Sequence, residues 1–260
     1  MNQDIDAQID QWASRQLSDY DKRDPGTLFS EAELTVEEAY ELQSRVVKLR
    51  EERGERVIGY KVGCTSPKIR TQLGIDHSVS GRLFESEVHL SGVELSRANF
   101  ANLAIEGELA VELSRVPQEQ DFLTDGIPAC VARVFPVIEL HHNVIRGARL
   151  TAPELIGNNA FQAGIVAVDG VAREDVTGDL SLDIYVDDEK VDGCEGSVLT
   201  DTISTSLAWL LDIVRARGDH LEAGHIILTG SIPGLHPIVN DCRIRVESSP
   251  FGSVEATVVG

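Results

Sequence analysis

The stretch "AIEGELAVEL", Ala104–Leu113, decides how this chain folds. In an extended strand successive side chains point to opposite faces, so Glu106, Glu108, Ala110 and Glu112 share one face while Ile105, Leu109, Val111 and Leu113 share the other. One face seeks a core and the other is acidic. Carboxylates are rarely buried without partners, so the acidic face either meets water or converges on a cation. A second run, "VFPVIELHHN" (Val134–Asn143), favours the cation. It is apolar until Glu139, which alternation places in the row Val137, Glu139, His141. Three carboxylates from neighbouring strands would repel one another unless a cation sat among them, and an all-oxygen set of Glu106, Glu108 and Glu139 suits hard Mg²⁺ or Mn²⁺ over zinc. His141 and His142 read as polar punctuation at a strand's end and stay outside that ligand set.

Short β-type runs dominate from Val57 onward, among them "VIGYKVGC", "GIVAVDG", "LDIYVDD", "HIILTG", "CRIRVES" and "SVEATVV", separated by Gly, Asp and Pro. One clear helix interrupts them: "DTISTSLAWLLDIVRARG" carries Ile203, Leu207, Leu210 and Val214 on one stripe, with Gly218 to end it. Upstream, Thr35 and Glu38 form a capping box opening an amphipathic helix through Val36, Ala39, Tyr40, Val46, Val47 and Leu49, which Gly54 terminates. An earlier helix is expected over residues 4 to 17, before the Asp24-Pro25-Gly26 turn signal. The expected class is therefore α+β, with a helical region over 1–56 and a β-rich body over 57–260.

Composition excludes several functions. The 260 residues carry a formal charge of -20, which argues against nucleic acid or an anionic membrane as partner, since both need a clustered basic surface. The nearest basic run, "RVVKLREERGER", is interrupted by Glu51, Glu52 and Glu55 and reads as a solvated helix face. No signal-peptide pattern opens the sequence and no apolar run approaches membrane-spanning length, so a cytoplasmic protein is expected. Cys64, Cys130, Cys194 and Cys242 lie far apart, which suggests reduced thiols instead of a zinc knuckle or disulfides.

Two further stretches bear on chemistry. In "VIGYKVGCTSP" alternation sets Val57, Gly59, Lys61 and Gly63 on one face, and the glycines leave room beside the lysine for a ligand or another backbone. A lysine in an apolar strand snorkels out or meets an anion. In "HIILTGSIPGLHP" the strand ends in Thr229-Gly230-Ser231, a turn that can aim N–H and hydroxyl groups at a small anion.

Taken in order, "GYKVGCTS", "GRLFES", "IEGELAVEL", "FPVIEL", "NNAFQAG" and "GHIILTGSIPG" resemble the 2-keto-4-pentenoate hydratase and 4-oxalocrotonate decarboxylase family of the fumarylacetoacetate hydrolase superfamily, over residues 35 to 260. The resemblance implies a mixed β-roll of the superfamily's C-terminal type with a smaller helical N-terminal region. It implies metal ligands at Glu106, Glu108 and Glu139, an active-site lysine at Lys61, and substrate neighbours at Thr65, Arg82, Leu83, Asn159 and Thr229. It implies a lyase for short 2-oxo or 2-hydroxydienoic acids, a hydratase or the related decarboxylase, and we further expect a homo-oligomer. The alternatives are a C–C bond hydrolase of acylpyruvate type and a non-catalytic metal- or ligand-binding homologue. Against the hydrolase, the first histidine is His77, so the helical region supplies no imidazole base. Three positions depart from the family pattern: Val79 replaces a customary acid/base aspartate, Asn158 a frequent aspartate, and Asp201 a frequent histidine. Asp76, His77 and Glu85 are the nearby groups that could take over the lost proton transfer.

Overall fold

The computed structural model describes residues 3–24, 26, 28–144, 150–176 and 178–260. Pro25 of the expected turn lies outside them. Helices α1 (Gln3–Lys22), α2 (Leu28–Glu31) and α3 (Val36–Glu52) come first. The capping box opens α3 as expected: Glu38 N–H donates to Thr35 Oγ1 at 3.2 Å, and Thr35 N–H to Glu38 Oε2 at 2.8 Å. Gly54, at φ +95°, follows its end. α1 runs past residue 17 to Tyr20, whose hydroxyl bonds Glu87 and whose ring meets the His142 edge at 4.8 Å.

The body follows as β1 (Val57–Gly63), α4 (Pro67–Leu73), β2 (Val79–Phe84), β3 (Val88–Leu90), β4 (Val93–Ser96), β5 (Leu103–Leu113) and β6 (Val131–His142). Next come α5 (Ala152–Gly157), β7 (Gln162–Ala167), β8 (Val171–Ala172), β9 (Ser181–Val186), β10 (Glu189–Glu195) and α6 (Val198–Ala216). The chain closes with β11 (Ile226–Leu228), β12 (His236–Pro237), β13 (Cys242–Ser249) and β14 (Gly252–Val259). The larger sheet has the order β2-β1-β11-β5-β6-β7-β3, with β12 on β5 and β8 on β6; the smaller is β10-β9-β13-β14-β4. Both are mixed: β1–β11, β3–β7 and β4–β14 run parallel, and the other pairs antiparallel. Among the described residues no helix is long and apolar enough to cross a membrane.

The apolar side of the β5–β6 pair (Ile105, Leu109, Val111, Ile138, Leu140) packs with Ile184, Ile244 and Val246 of the smaller sheet and with the Ile203, Leu207, Leu210 stripe of α6. Each such side chain, fully buried, contributes about 1.5–3 kcal/mol. The sheets pack tightly at Gly107, where a Cβ would stand 2.7 Å from Ile184 Cγ1. With this face committed to the core, the acidic face of β5 must look the other way, toward α3 and α5. That layer is pinned by buried Gln43, whose amide donates to Ser80 C=O at 2.9 Å on β2 and to Ile156 C=O at 2.8 Å on α5.

His142 lies on the β6 face opposite the carboxylates and accepts the Ala101 N–H on Nδ1 at 3.0 Å, a bond only an unprotonated nitrogen can make. Burial, then Arg23, His141 and Arg50, holds its pKa down at about 4. Between the unfolded value near 6.5 and about 4, the unfolded chain binds the extra proton. Stability supplied by neutral His142 is therefore complete above pH 6.5 and falls by up to about 3 kcal/mol as pH drops to 4. Denaturant unfolding at pH 7, 5.5 and 4 should show this loss, and a shallower one in His142→Gln.

Candidate active site

Antiparallel pairing sets Glu106 of β5 directly opposite Glu139 of β6, with His141 opposite Ala104 one step along the same face. Lys61 enters from β1, with β11 between it and β5. Its Nζ stands 2.8 Å from Glu139 Oε1 and donates to the Ala160 carbonyl at 3.1 Å. His141 Nε2 lies 3.3 Å from Glu106 Oε2 and 3.2 Å from Glu139 Oε2. Among the described residues, one donor atom each from Glu106, Glu139 and His141 fall within 4.8 Å of one another. Glu139 is wholly buried, while the Glu106 side chain is 20% exposed and marks the open side of the cluster. Glu108 is also buried, with its Oε2 accepting the Gly230 N–H at 2.9 Å.

The electrostatics follow from crowding. Burial, then repulsion from Glu139 and Glu106, pushes the Glu108 carboxyl well above the usual range. Burial alone would do the same to Glu139, but Lys61 and His141 outweigh it and hold it at about 2. Burial works to lower the Lys61 ammonium, yet the fields of Glu139, Glu106 and Glu108 leave it raised and charged. His141 likewise ends above its ordinary value, because Glu139 and the hydrogen-bonding carboxylates overcome burial and the Lys61 charge. The Cys64 thiol beside Lys61 is pushed by burial to about 11, so it is no thiolate nucleophile at neutral pH.

The glycines flanking Lys61 serve different ends. Gly59 admits the β11 backbone, since a Cβ there would overlap the Ile226 carbonyl at 1.8 Å. A Cβ on Gly63 would touch Val79 Cγ2 at 3.4 Å and Lys61 Cε at 3.5 Å, so Val79, opposite Gly63, shares the lysine's face of the sheet. Across from Lys61, Gly81 lets the Asn159 backbone approach to 2.5 Å of where a Cβ would be. There Asn159, Ala160 and Phe161 all hold φ between 53° and 61°, a run of left-handed non-glycine residues that aims the Ala160 carbonyl at the ammonium. Asn159 stabilises that turn, accepting the Arg82 N–H at 2.7 Å and donating to the Arg82 carbonyl at 2.9 Å. Asn158 is tied to α1 by the Gln16 amide at 2.6 Å.

Other expected site residues are placed less directly. Leu83 joins Ala110, Phe135, Val137, Ile165 and Leu228 in an apolar floor beside the carboxylates. Thr65 packs against Gly230. Thr229 donates to the Leu109 carbonyl at 2.7 Å, and Ser231 to the Pro233 carbonyl at 2.8 Å. Together with the Gly230–Glu108 bond, these engage the Thr229 and Ser231 hydroxyls and the Gly230 N–H within the protein itself, and the group the turn holds is the Glu108 carboxyl. The Arg82 side chain points to the opposite face, stacking on Tyr60 at 4.5 Å and pairing with Asp219 in a cleft of about 330 Å³. Val57 lines that cleft too and not the lysine's face, because a bulge between Val57 and Gly59 reverses the alternation. His141, read from sequence as punctuation, belongs with the carboxylates because β6 continues as regular strand through His142. Strand length was the missing signal. Glu112, the outermost acid of the row, pairs with Arg133. Asp201 is exposed in the first turn of α6.

A larger mixed sheet with a second sheet on one face and helices on the other, around carboxylates on adjacent strands, defines the class. The fold is that of the 4-oxalocrotonate decarboxylase of Pseudomonas putida G7, complexed with magnesium and adipate, on which it superposes with a TM-score of 0.86 at 23% identity over 97% of this chain and 98% of that chain. Among curated proteins the chain is 28% identical over 226 residues to a 2-hydroxyhexa-2,4-dienoate hydratase of Comamonas testosteroni, covering 85% of each. It is 26% identical over 228 residues to a 4-oxalocrotonate decarboxylase of a Pseudomonas species, covering 87% of this chain and 88% of the relative. No protein-family model matches. The curated proteins that the chain resembles thus include 2-keto-4-pentenoate hydratases and 4-oxalocrotonate decarboxylases.

Proposed function

We propose that this protein is a divalent-metal-dependent lyase for short 2-oxo and 2-hydroxydienoic acids, acting as a hydratase or as the related decarboxylase. The observation that carries the reading is the crowding of carboxyl groups: Glu106, Glu108 and Glu139 converge beside the Lys61 ammonium, closely enough that the Glu108 carboxyl is pushed well above its usual range, a crowding that a divalent cation would relieve. The residues fit a divalent cation, because donor atoms of Glu106, Glu139 and His141 lie within 4.8 Å of one another, and Glu139 Oε2 and His141 Nε2 are buried without a well-directed hydrogen bond. Glu106, Glu139 and Glu108 would hold the cation, which supplies chelation of a 2-oxo acid and stabilisation of the negative charge that builds up when the conjugated system accepts an electron pair.

The chain's own groups do the rest. Lys61, fixed between Glu139 and the Ala160 carbonyl, keeps a proton on Nζ and presents it to the substrate's developing charge. The floor formed by Leu83, Phe135, Val137 and Leu228 excludes water from the diene. One arrangement serves either outcome, since water addition and CO₂ loss both pass through the same delocalised anion. The reading includes a homo-oligomer working on a small-molecule oxo acid. For a hydrolase the helices α1 and α3 offer no histidine, and His77 has Nδ1 2.7 Å from the Ser78 carbonyl. Assaying purified protein with Mg²⁺ or Mn²⁺ against 2-hydroxypenta-2,4-dienoate and oxalocrotonate tests the reading. Loss of dienol absorbance, with or without CO₂ release, supports it, and no change in either substrate overturns it.

Hydration needs a group to take the water's proton, and Val79 cannot. Glu85 is a poor substitute because it pairs with Arg56 on the surface; Asp76 is exposed and His77 half-buried. Val79→Asp places a carboxylate on the Lys61 face of the sheet, opposite Gly63, and is expected to raise the hydration rate of 2-hydroxypenta-2,4-dienoate at least about tenfold. Unmodified protein already turning over near the roughly 10 s⁻¹ typical of enzymes, with no gain in the variant, would show that Val79 is no functional departure.

A further inference from the structure

We infer that His141 is itself a metal ligand, which makes the centre a mixed nitrogen–oxygen site that prefers Mn²⁺ and other borderline transition ions over Mg²⁺ and Ca²⁺. The inference rests on the divalent-cation reading above and concerns which cation is held and by what atoms.

Three observations carry it. His141 Nε2 lies 3.3 Å and 3.2 Å from oxygens of Glu106 and Glu139, so all three atoms can face one point between the strands. The imidazole is 4% exposed, and Nε2 is a buried nitrogen with no well-directed hydrogen bond. The compact donor group is Glu106, Glu139 and His141, whereas Glu108 gives one of its oxygens to the Gly230 N–H. A buried ring nitrogen set between two carboxylates can hold a proton between them or, when a cation enters, give that proton up and become a ligand. A cation that tolerates imidazole satisfies all three donors together. Imidazole raises affinity for Mn²⁺, Co²⁺ and Zn²⁺ along the usual order of divalent ions, while Mg²⁺ and Ca²⁺ gain little from nitrogen. His141 is set there by β6 alone: two residues beyond Glu139, it shares that residue's face.

The test uses metal-stripped full-length protein reloaded with Mn²⁺ and needs no substrate. Pulsed electron paramagnetic resonance of the Mn²⁺ protein should show coupling to a directly bound nitrogen that changes when histidine is supplied as ¹⁵N. Calorimetric titration should give a Kd for Mn²⁺ well below that for Mg²⁺, and His141→Gln should weaken Mn²⁺ at least about tenfold while changing Mg²⁺ much less. The spectroscopic arm stands even if the variant fails to fold. Stoichiometric Mn²⁺ binding without histidine coupling overturns the inference and leaves the lyase reading standing. Absence of any divalent binding overturns both.

Discussion

Replacing Lys61 with alanine is expected to cut turnover on a 2-hydroxydienoate by at least about two orders of magnitude, the scale for losing a positioned acid. The same change has a second, separable effect. Lys61 is the ammonium that keeps buried Glu139 ionised, at 2.8 Å and with 4% of the lysine side chain exposed. Removing one partner of a buried pair leaves an uncompensated charge and costs about 3–5 kcal/mol. A divalent cation can supply the missing positive charge, so metal should restore most of the stability of Lys61→Ala but not its turnover. Thermal unfolding with and without Mn²⁺, set beside kcat, checks both halves. Full activity in the variant, or a stability loss that metal does not repair, would place Lys61 outside the reaction.

The second large effect is expected at Glu139. Glu139→Gln keeps the shape of the side chain but replaces one anionic oxygen at the centre of the cluster with an amide donor facing Lys61 and His141. Metal-dependent stabilisation, which comes from a ligand binding only the folded state, should disappear. Turnover should vanish with it. Glu112 is the internal control: it lies on the same face of β5, yet it is paired with Arg133 at the rim. Glu112→Gln should leave metal affinity unchanged and cost no more than about 1 kcal/mol, as for other partly exposed ion pairs. Equal behaviour of the two variants would show that position on the acidic face, and not convergence with β6, was the whole basis of the site.

Much of this was legible from local pattern. The alternation of Ala104–Leu113 named the face that packs on the smaller sheet and the face that carries the acids, because period-two side-chain direction is a property of the strand itself, even though nearly the whole strand is buried. The Thr35–Glu38 box and the α6 stripe were equally local. What escaped depended on partners distant in sequence. β2 is buried along its whole length and so shows no alternation, while α5 is too short for a helical period to register. The bulge that turns Val57 away follows from register against Phe84 and Leu83. Arg82 was placed near substrate by motif, but its side-chain direction is fixed by Tyr60 and Asp219 on other elements. The left-handed run Asn159–Phe161 contains no glycine to announce it, and it is held by the Asn159 amide across Gly81.

The central claim is that one divalent cation among the β5 and β6 carboxylates is required for chemistry on a 2-hydroxydienoate. Its most direct test is the initial rate on 2-hydroxypenta-2,4-dienoate and oxalocrotonate before and after exhaustive chelation, followed by titration with Mn²⁺ while bound metal is counted. The account predicts that turnover on the preferred substrate falls to background when metal is stripped and returns in proportion to metal bound, saturating at one ion per chain. Undiminished turnover in protein whose metal content is far below one per chain would contradict it.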